Sequence, residues 1–554
     1  MFTLSQNTPV TVIFSYRRWE RSRNAVTTHI PVNSLISSMH VMTSHALLTS
    51  SIQYGIVARS FPLTGRILPG YLDTSGVGLG IGNPNAEFTP NVSACAISSD
   101  GGTAKIVWGT RTGDVIFMNA PRAMDSGRRN STNIRRCGIA DEHDSSVLDA
   151  QWVVNVHSAA LGWAIVTASA DGRIKLWDAK TAVCQWTSQR TSNMTIPDPC
   201  LKVTATETGT HGGCIAAVMK SGEIHIWTGF VLGSTVIYEE TSIKETIIEC
   251  PMCTSFQGYD PQATHAVIAL HIDPNPTSAS PTLLVAYENE PFFYRIRVGF
   301  PVSTGPEKDV DVEITAFGDP FFGSTSIVVP YFRGTAEQQA SFVFVGDHLG
   351  WVSLYPWNAD NPVLSVSNSI LTSTSVHSNS NTGTNPITTI QPIRKFEAHH
   401  DSTSITALTW SSHTLITGSA RGTTHVFDAL SFRHLRSFAS PIPKIRRGER
   451  DESERDRQKV KQIIVGSGPG SAALNLTPSS NSKDKFSSSM EENRDLIFIS
   501  VGERVMAWKA GPVPKHGHGG VRGRHTKGVL GVGKKKRLGS ARYLRMSEWL
   551  FLSL

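Results

Sequence analysis

Several features that would assign the chain to a familiar class of protein are missing. In 554 residues no apolar run approaches the roughly 20 residues that a membrane-spanning helix needs. The first residues, Met1 to Asn7, place no basic segment ahead of a long apolar stretch, which argues against a secretory signal. Seven cysteines, an odd number without regular spacing, indicate reduced thiols and no disulfide framework. These absences predict a soluble intracellular protein that has no membrane partner.

Charged residues are also scarce, at 18% against the usual quarter, and they are unevenly distributed. Residues 511–554 contain ten Lys and Arg but one acid, Glu548, so this tail carries +9. Because the whole chain carries +7, the preceding 510 residues carry −2. A nearly neutral body disfavours a basic groove for nucleic acid, which is expected as a partner only through the tail.

Catalytic and metal-binding motifs are missing as well. There is no GxSxG elbow, no HExxH pair and no phosphate-binding GxxxxGK[ST] loop. The CxxC at Cys250–Cys253 lacks a second pair or nearby histidines, and the glycine-rich 78–82 segment is not followed by a helix. Three tail histidines lack cysteine partners and a rigid frame: His516, His518 and His525. The sequence therefore predicts no enzyme, no cofactor and no metal site.

What the sequence does contain is a repeated hairpin. Residues 164–178 read AIVTASADGRIKLWD, a β-branched run, an Asp-Gly turn and an alternating strand that ends at Trp177-Asp178. Related hairpins place these residues at the position of Trp177: Met118, Trp227, Tyr355, Phe427 and Trp508. Two fainter copies lie at 54–61 and 292–298, and the spacings run from 50 to 81 residues. The hairpins thus recur along almost the whole chain.

Eight hairpins of one kind predict an all-β fold. We expect a single β-propeller of about eight four-stranded blades, with seven as the alternative. The propeller is predicted over residues 8–510, with long polar inserts at 364–389 and 444–494. Residues 511–554 are predicted to form a disordered basic tail rich in Gly and Lys. The isolated strand Val10–Tyr16 is predicted to pair with the final blade and close the ring.

Residues 143–178 resemble the WD-repeat family most clearly. There His143, Ser169, Asp171 and Trp177 match the family's structural tetrad, a hydrogen-bonded chain from the inter-blade loop to the third strand. The match implies that these four residues stabilise a blade and take no part in chemistry.

A degraded copy of the tetrad follows later in the chain. It contains His399, Ser419 and the pair Phe427-Asp428, and Arg421 stands where the turn aspartate belongs. The resemblance is therefore sharp in about two blades, while the other hairpins keep only the hydrophobic pattern.

The chain also resembles the fungal F-box/WD-repeat proteins, which are substrate receptors of SCF-type ubiquitin ligases. The similar features are the degenerate blades, a Ser-rich insertion before the last strands, and the tail from Gly517 to Arg537. The resemblance implies a degron-bearing substrate, often phosphorylated, that binds arginines on the narrow face, and a ligase adaptor as a further partner. The F-box itself is not visible before the first hairpin.

Together these features predict a protein-interaction platform, most specifically a receptor in ubiquitin-dependent degradation. The alternative is a nuclear WD-repeat scaffold in an RNA-processing or chromatin complex. The basic cluster of the tail predicts nuclear import and consists of Lys534, Lys535, Lys536 and Arg537. The expected location is nuclear, cytoplasmic or both.

Overall fold

The computed structural model describes most of the chain between residues 26 and 509. The described residues are 26–32, 34–42, 46–68, 72–73, 92–99, 103–121, 133–155, 163–189, 197–208, 212–230, 243–251, 266–274, 281–299, 311–318, 323–332, 341–358, 388–411, 414–442, 457–466 and 496–509. All of them belong to the first of two compact units, Met1–Pro512. Within these ranges no helix has the length and apolar character needed to cross a membrane.

The described chain folds into eight sheets, each built on four antiparallel strands. We number these sheets blades 1 to 8 in chain order and name the strands of each blade a to d. Blades 1 to 4 consist of Ser38–Val41, Leu47–Ser51, Ile56–Phe61 and Arg66–Ile67; Val92–Ser99, Thr103–Thr110, Val115–Pro121 and Asn133–Arg136; Val147–Trp152, Ala164–Ser169, Ile174–Asp178 and Val183–Thr187; and Cys200–Thr208, Gly212–Met219, Ile224–Phe230 and Lys244–Ile248. Blades 5 to 8 consist of Val267–Ile272, Thr282–Tyr287, Phe292–Gly299 and Asp311–Gly318; Thr325–Tyr331, Phe342–Asp347, Trp351–Pro356 and Arg394–Glu397; Ile405–Trp410, Thr414–Ser419, Thr424–Asp428 and His434–Phe438; and Val460–Gly466, Leu496–Val501, Arg504–Lys509 and Val26–His29.

Four short elements complete the described secondary structure. Two strands, Leu72–Asp73 and Val154–Asn155, add to blades 1 and 4, and a 3₁₀-helix covers Ile139–Asp141. The strand Thr388–Ile390 pairs in parallel with strand d of blade 5. It includes the last residues of the insert predicted at 364–389, whose remainder lies outside the described residues.

The blades form one closed ring. Strand a of each blade contacts strand a of both neighbours, and the contacts follow chain order until blade 8 meets blade 1. The eight a strands therefore surround the centre and the d strands lie outermost. This arrangement confirms the predicted all-β propeller and settles the number of blades at eight.

The ring is closed by the N-terminal part of the described chain. Val26–His29 is strand d of blade 8 and pairs antiparallel with Arg504–Lys509, with Val26 opposite Trp508. The sequence predicted this kind of closure but assigned it to Val10–Tyr16, which lies outside the described residues. Both segments are rich in β-branched residues, so strand propensity did not distinguish them.

A second correction concerns the insert predicted at 444–494. Strand a of blade 8, Val460–Gly466, lies inside that segment and contributes the buried side chains of Val460 and Ile463 to the core. The start of this strand was not predicted, because the dense charges of residues 446–457 indicated a solvated loop up to Lys461.

Strand c carries the large apolar position that the hairpin alignment predicted. The six aligned residues are all buried on strand c: Met118, Trp177, Trp227, Tyr355, Phe427 and Trp508. Each packs in an apolar cluster, most of which join two adjacent blades. The alignment made from sequence therefore identified equivalent positions.

In seven of the eight described blades, strand a has an irregularity that the sequence did not reveal. Each of these strands has a β-bulge at its second residue: Ser93, Leu148, Leu201, Ile268, Ser326, Thr406 and Lys461. A bulge bends the strand and turns the extra side chain out of the ladder. In three blades the bulged hydroxyl donates to a carbonyl of the next blade, as Thr406 Oγ1 does to Val460 O at 2.7 Å.

Glycines allow these same blades to approach closely. A Cβ at Gly418, in strand b of blade 7, would overlap the side chain of Val460 in blade 8, and Gly109 and Gly346 stand in the same relation to Val147 and Ile405. The combination of glycine and bulged hydroxyl thus fixes blade 8 against blade 7.

Candidate functional site

The turns between strands b and c lie on one face of the ring. Because adjacent strands run in opposite directions, these turns share that face with the links from strand d to the next strand a. Hydrogen bonds join the two sets, as from Ala170 N to Ser146 O and from Ala420 N to Ser404 O, both at 2.9 Å. We call this side the upper face, and the tetrad and its degraded copy both lie beneath it.

The tetrad position of blade 3 is fully buried. Trp177 Nε1 donates to Thr167 Oγ1 at 2.8 Å, and His143 Nε2 lies 2.8 Å from the same hydroxyl. Because the hydroxyl accepts from Trp177, its own hydrogen is free to donate to Nε2, which places the His143 proton on Nδ1. That nitrogen lies 3.8 Å from Asp171 Oδ2.

Asp171 is held by the turn that it begins. Its carboxylate accepts from Arg173 N at 2.7 Å and from Asp144 N at 2.9 Å. Burial alone would raise the pKa of Asp171, but these bonds and the neighbouring His143 lower it to about 2. Burial lowers the pKa of His143, and Asp171 opposes that shift only in part. An ionised carboxylate therefore faces a neutral imidazole.

One of the four predicted tetrad residues has a different place. The hydroxyl between His143 and Trp177 belongs to Thr167, whereas Ser169 donates to Ser145 O at 3.1 Å and accepts from Asp171 N at 3.3 Å. The prediction of Ser169 is thus corrected by two positions along strand b. Side chains alternate along a strand, so both residues point to the same face and only the distance to Trp177 separates them.

The contacts from Thr167 through His143 to Asp171 have the composition of a hydrolase triad. The three residues are 0%, 3% and 3% exposed, and the hydroxyl already accepts a hydrogen bond from Trp177. A nucleophile must reach its substrate, so this arrangement serves the packing of the blade.

Blade 7 repeats the pattern with two replacements. His399 Nε2 lies 3.1 Å from Thr417 Oγ1, as in blade 3, but Phe427 offers no N–H to that hydroxyl. Arg421 occupies the turn position of the aspartate and pairs with Asp401 at 3.1 Å on the surface. No buried carboxylate among the described residues contacts His399.

A cleft opens on the upper face between blades 8 and 1. Its volume is about 500 Å³, within the ordinary range for ligand-binding sites, and the described residues that line it are Leu35, Ile36, Ser37, Ile52, Gln53, Arg457, Lys459, Lys461 and Gly502. Three are cations, three are aliphatic, and none is acidic. The sequence did not predict this site, because its two walls come from segments more than 400 residues apart.

Local structure fixes both walls of this cationic cleft. Lys461 is the bulged residue of its strand, so its side chain leaves the ladder beside the mouth of the ring. On the other wall, Ile36 N donates to Gly502 O at 2.9 Å and Ile52 N to Ser37 Oγ at 2.9 Å. Gln462 Oε1 accepts from Met39 N at 2.7 Å and ties the two blades together below.

One further cluster has the composition of a metal site. Asp114, Cys137 and Glu142 place their ligand atoms within 4.8 Å of one another, near the link from blade 2 to blade 3. Burial and the neighbouring carboxylates raise the pKa of the Cys137 thiol, which favours its neutral form, a poor metal ligand. Cys253, the glycine-rich segment at 78–82, the tail histidines and Lys534 to Arg537 lie outside the described residues.

No family model matches the chain, and no curated protein matches it. Among solved structures it is similar to Saccharomyces cerevisiae Sqt1, with 11% identity, coverage of 88% of this chain and 98% of that chain, and a TM-score of 0.49. It is also similar to the computationally designed Ika8 protein, with 13% identity, coverage of 87% and 98%, and a TM-score of 0.42. Neither likeness bears on function.

Proposed function

We propose that this propeller is a protein-interaction platform and serves as the substrate-recognition subunit of an SCF-type ubiquitin ligase. The observation that carries the proposal is the cationic cleft between blades 8 and 1. An acidic or phosphorylated degron is the substrate class that fits it, because cations beside aliphatic side chains bind anionic groups flanked by apolar residues.

The charges of the cleft support this choice of ligand. Arg457 and Lys461 are exposed and Lys459 is half-buried, so the three cations place positive charge at the surface of the cleft. The aliphatic contribution comes from Leu35, Ile36 and Ile52. A phosphate or carboxylate would bind the cations while an adjacent apolar residue packs on the aliphatic side chains.

The rigidity of the surroundings supports a recognition role. Gly502 and the Gln462 side chain join blade 8 to blade 1, so both walls belong to the closed ring. A preformed site loses less conformational entropy when a flexible peptide binds, and most of the ordering cost then falls on the peptide.

The test is affinity purification from the native cell under proteasome inhibition, with mass spectrometry of the partners. The decisive variant reverses the cleft charges with Arg457→Glu, Lys459→Glu and Lys461→Glu. The matched control makes the same charge change at exposed positions of outer elements, with Arg136→Glu, Lys180→Glu and Lys244→Glu. We expect adaptor and cullin with all three proteins, and at least a tenfold loss of the substrate with the cleft variant alone.

Two results would contradict the proposal in different ways. Substrate recovery that survives charge reversal would exclude the cleft as the degron site. A reproducible set of nuclear proteins without adaptor or cullin would favour the nuclear scaffold. The basic tail bears on that alternative: replacing Lys534 to Arg537 with alanine should shift the protein to the cytoplasm, and unchanged nuclear residence would refute the import signal.

A further inference from the structure

Three histidine rings of blade 7 form a continuous stack. The rings of His399 and His425 are nearly parallel, with centroids 4.3 Å apart and an angle of 19°. The ring of His434 meets His425 edge-on at 5.3 Å. His399 precedes strand a, His425 lies in strand c and His434 begins strand d, so the stack spans the blade. We call these three residues the histidine stack.

Each ring of the stack has a partner that does not require a positive charge. His399 lies between the Thr417 and Thr423 hydroxyls, at 3.1 and 3.4 Å. His425 Nδ1 lies 2.7 Å from the Ala398 carbonyl, so this nitrogen carries a proton and donates it. His434 Nε2 lies 2.9 Å from the Ser437 hydroxyl. Neutral imidazoles satisfy all of these contacts.

The charged groups around the stack would not compensate its protonation. On the link before strand a are Asp401, which already pairs with Arg421, and His400, which pairs with Glu397 at 3.2 Å. Asp401 and Arg421 have side chains 39% and 64% exposed, so their charges are screened by water. Arg436 of strand d contacts His434 through its backbone, while its guanidinium lies over the rings of Phe438 and Trp508. Blade 3 has the buried Asp171 at this point instead.

Burial lowers the pKa of all three histidines, that of His399 to about 4. Their proximity adds to this, since His425 lowers the pKa of both His399 and His434. An unfolded histidine has a pKa near 6.5, so an opened blade binds protons that the folded blade excludes. The stability contributed by the neutral stack is complete above pH 6.5 and is lost as the pH falls toward 4.

Blade 7 also supports one wall of the cationic cleft. A Cβ at Gly422, in its b–c turn, would overlap the carbonyl of Gln458, between Arg457 and Lys459. Strand b packs against Val460 through Gly418, and strand a bonds to Val460 O through Thr406. Opening of blade 7 would therefore remove the support of residues 457–460.

We propose that protonation of the histidine stack opens blade 7 ahead of the other blades and loosens the cationic cleft. The opening is a property of the fold, and only its effect on a ligand rests on the proposed function. Three histidines in one blade give the opening equilibrium a steep dependence on pH, about tenfold per pH unit for each proton taken up.

The test is hydrogen exchange with mass spectrometry on the full chain from pH 7.5 to 4.5, corrected for intrinsic exchange rates. We expect exchange in residues 414–438 to rise about 100-fold or more per pH unit below pH 6. Blade 5 is the internal comparison, because its four strands contain a single histidine, the half-buried His271 of strand a. The exchange rate of its strands should rise by about tenfold per pH unit at most.

Two variants separate the stack from general acid sensitivity. His425→Asn keeps a donor for the Ala398 carbonyl and removes the central ring. It should therefore make the exchange rate of blade 7 depend less steeply on pH. The matched control is His225→Asn, at the equivalent position of strand c in blade 4, where Glu223 and Glu245 flank the imidazole. This control should leave the exchange of blade 7 unchanged. If His425→Asn does not fold, His434→Gln at the exposed end of the stack replaces it.

The proposal is overturned if exchange in blade 7 rises no more steeply with acid than exchange in blade 5, or if His425→Asn, or His434→Gln in its place, keeps the wild-type steepness. Exchange is measured without a ligand, so failure of the proposed degron role would leave this result intact. If the opening is observed but substrate capture is the same at pH 7.5 and 5.5, the stack does not control the cleft.

Discussion

Blades 3 and 7 share one backbone pattern but differ in the chemistry beneath their turns. In blade 3 a tryptophan N–H, a threonine hydroxyl, an imidazole and a carboxylate form a chain of contacts that ends in an ionised Asp171. In blade 7 the tryptophan is replaced by Phe427 and the aspartate by Arg421, and the imidazole stacks on a second histidine instead. The same fold therefore tolerates loss of the hydrogen-bonded chain when aromatic packing takes its place.

The difference concerns what each blade does with charge. Blade 3 buries the Asp171 carboxylate, which backbone amides and a neutral histidine satisfy. In blade 7 the charged groups at this point are Arg421 and Asp401, which pair on the surface. Buried polar groups cost stability unless each one is paired, so blade 3 should be the more sensitive to removal of any single member.

The largest expected effect is on the aromatic core of blade 3. Trp177 is fully buried, and its ring centroid lies 5.7 Å from that of Phe117. Trp177→Ala removes this indole and should lower the free energy of unfolding by about 3 to 5 kcal/mol. Urea unfolding measures this change. A loss below about 1 kcal/mol would contradict the assignment of Trp177 to the core of the tetrad.

The threonine hydroxyls provide the sharpest comparison. Thr167→Val leaves both Trp177 Nε1 and His143 Nε2 without their partner and should cost about 2 to 3 kcal/mol. Thr417→Val leaves only His399 Nε2 unpaired and should cost about 1 kcal/mol. Equal losses in urea unfolding would show that the N–H of Trp177 contributes nothing through Thr167.

The carboxylate of blade 3 should appear in the pH dependence of stability. Its folded pKa, about 2, lies below the ordinary value of 3.8, so it stabilises the folded state above pH 3.8, and that contribution is lost as the pH falls toward 2. Asp171→Asn should therefore cost about 2 kcal/mol at pH 7 and much less near pH 2. An Asp171→Asn variant whose deficit is the same at both pH values would refute the ionised state.

The smallest effect is expected at the surface pair of blade 7. Arg421→Ala removes an ion pair whose side chains are 64% and 39% exposed, and it should change the free energy of unfolding by less than about 1 kcal/mol. The effect should decrease further in high salt. A loss larger than that of Thr417→Val would mean that Arg421 has acquired the structural role of the aspartate.

The sequence predicted the parts of the fold that repeat. Hairpins with a tight glycine-containing turn and a large apolar residue, aromatic in most copies, near the middle of strand c recur often enough to predict about eight blades, with seven as the alternative. In the tetrad the sequence named Ser169, whereas the hydroxyl between His143 and Trp177 belongs to Thr167, two positions earlier; both residues share a face and carry a hydroxyl. Only the distance to Trp177 in three dimensions selects Thr167.

Features that depend on distant segments could not be predicted. The closing strand Val26–His29 is chosen by its register against Arg504–Lys509, and nothing in its own residues separates it from Val10–Tyr16. Strand Val460–Gly466 was hidden by the charges that precede it. The cationic cleft exists because Arg457, Lys459 and Lys461 meet the link before blade 1, a contact made only when the ring closes.

The most direct test of the recognition role places a photo-crosslinking amino acid in the cleft. The variant Gln53→p-benzoylphenylalanine occupies an exposed position of the lining, and Val183→p-benzoylphenylalanine on the outer strand of blade 3 is the control. We predict that irradiation in cells joins a partner to position 53 and not to position 183, and that the three cleft charge reversals abolish the product. A partner that crosslinks equally at both positions, or at position 53 despite the charge reversals, would contradict binding in this cleft.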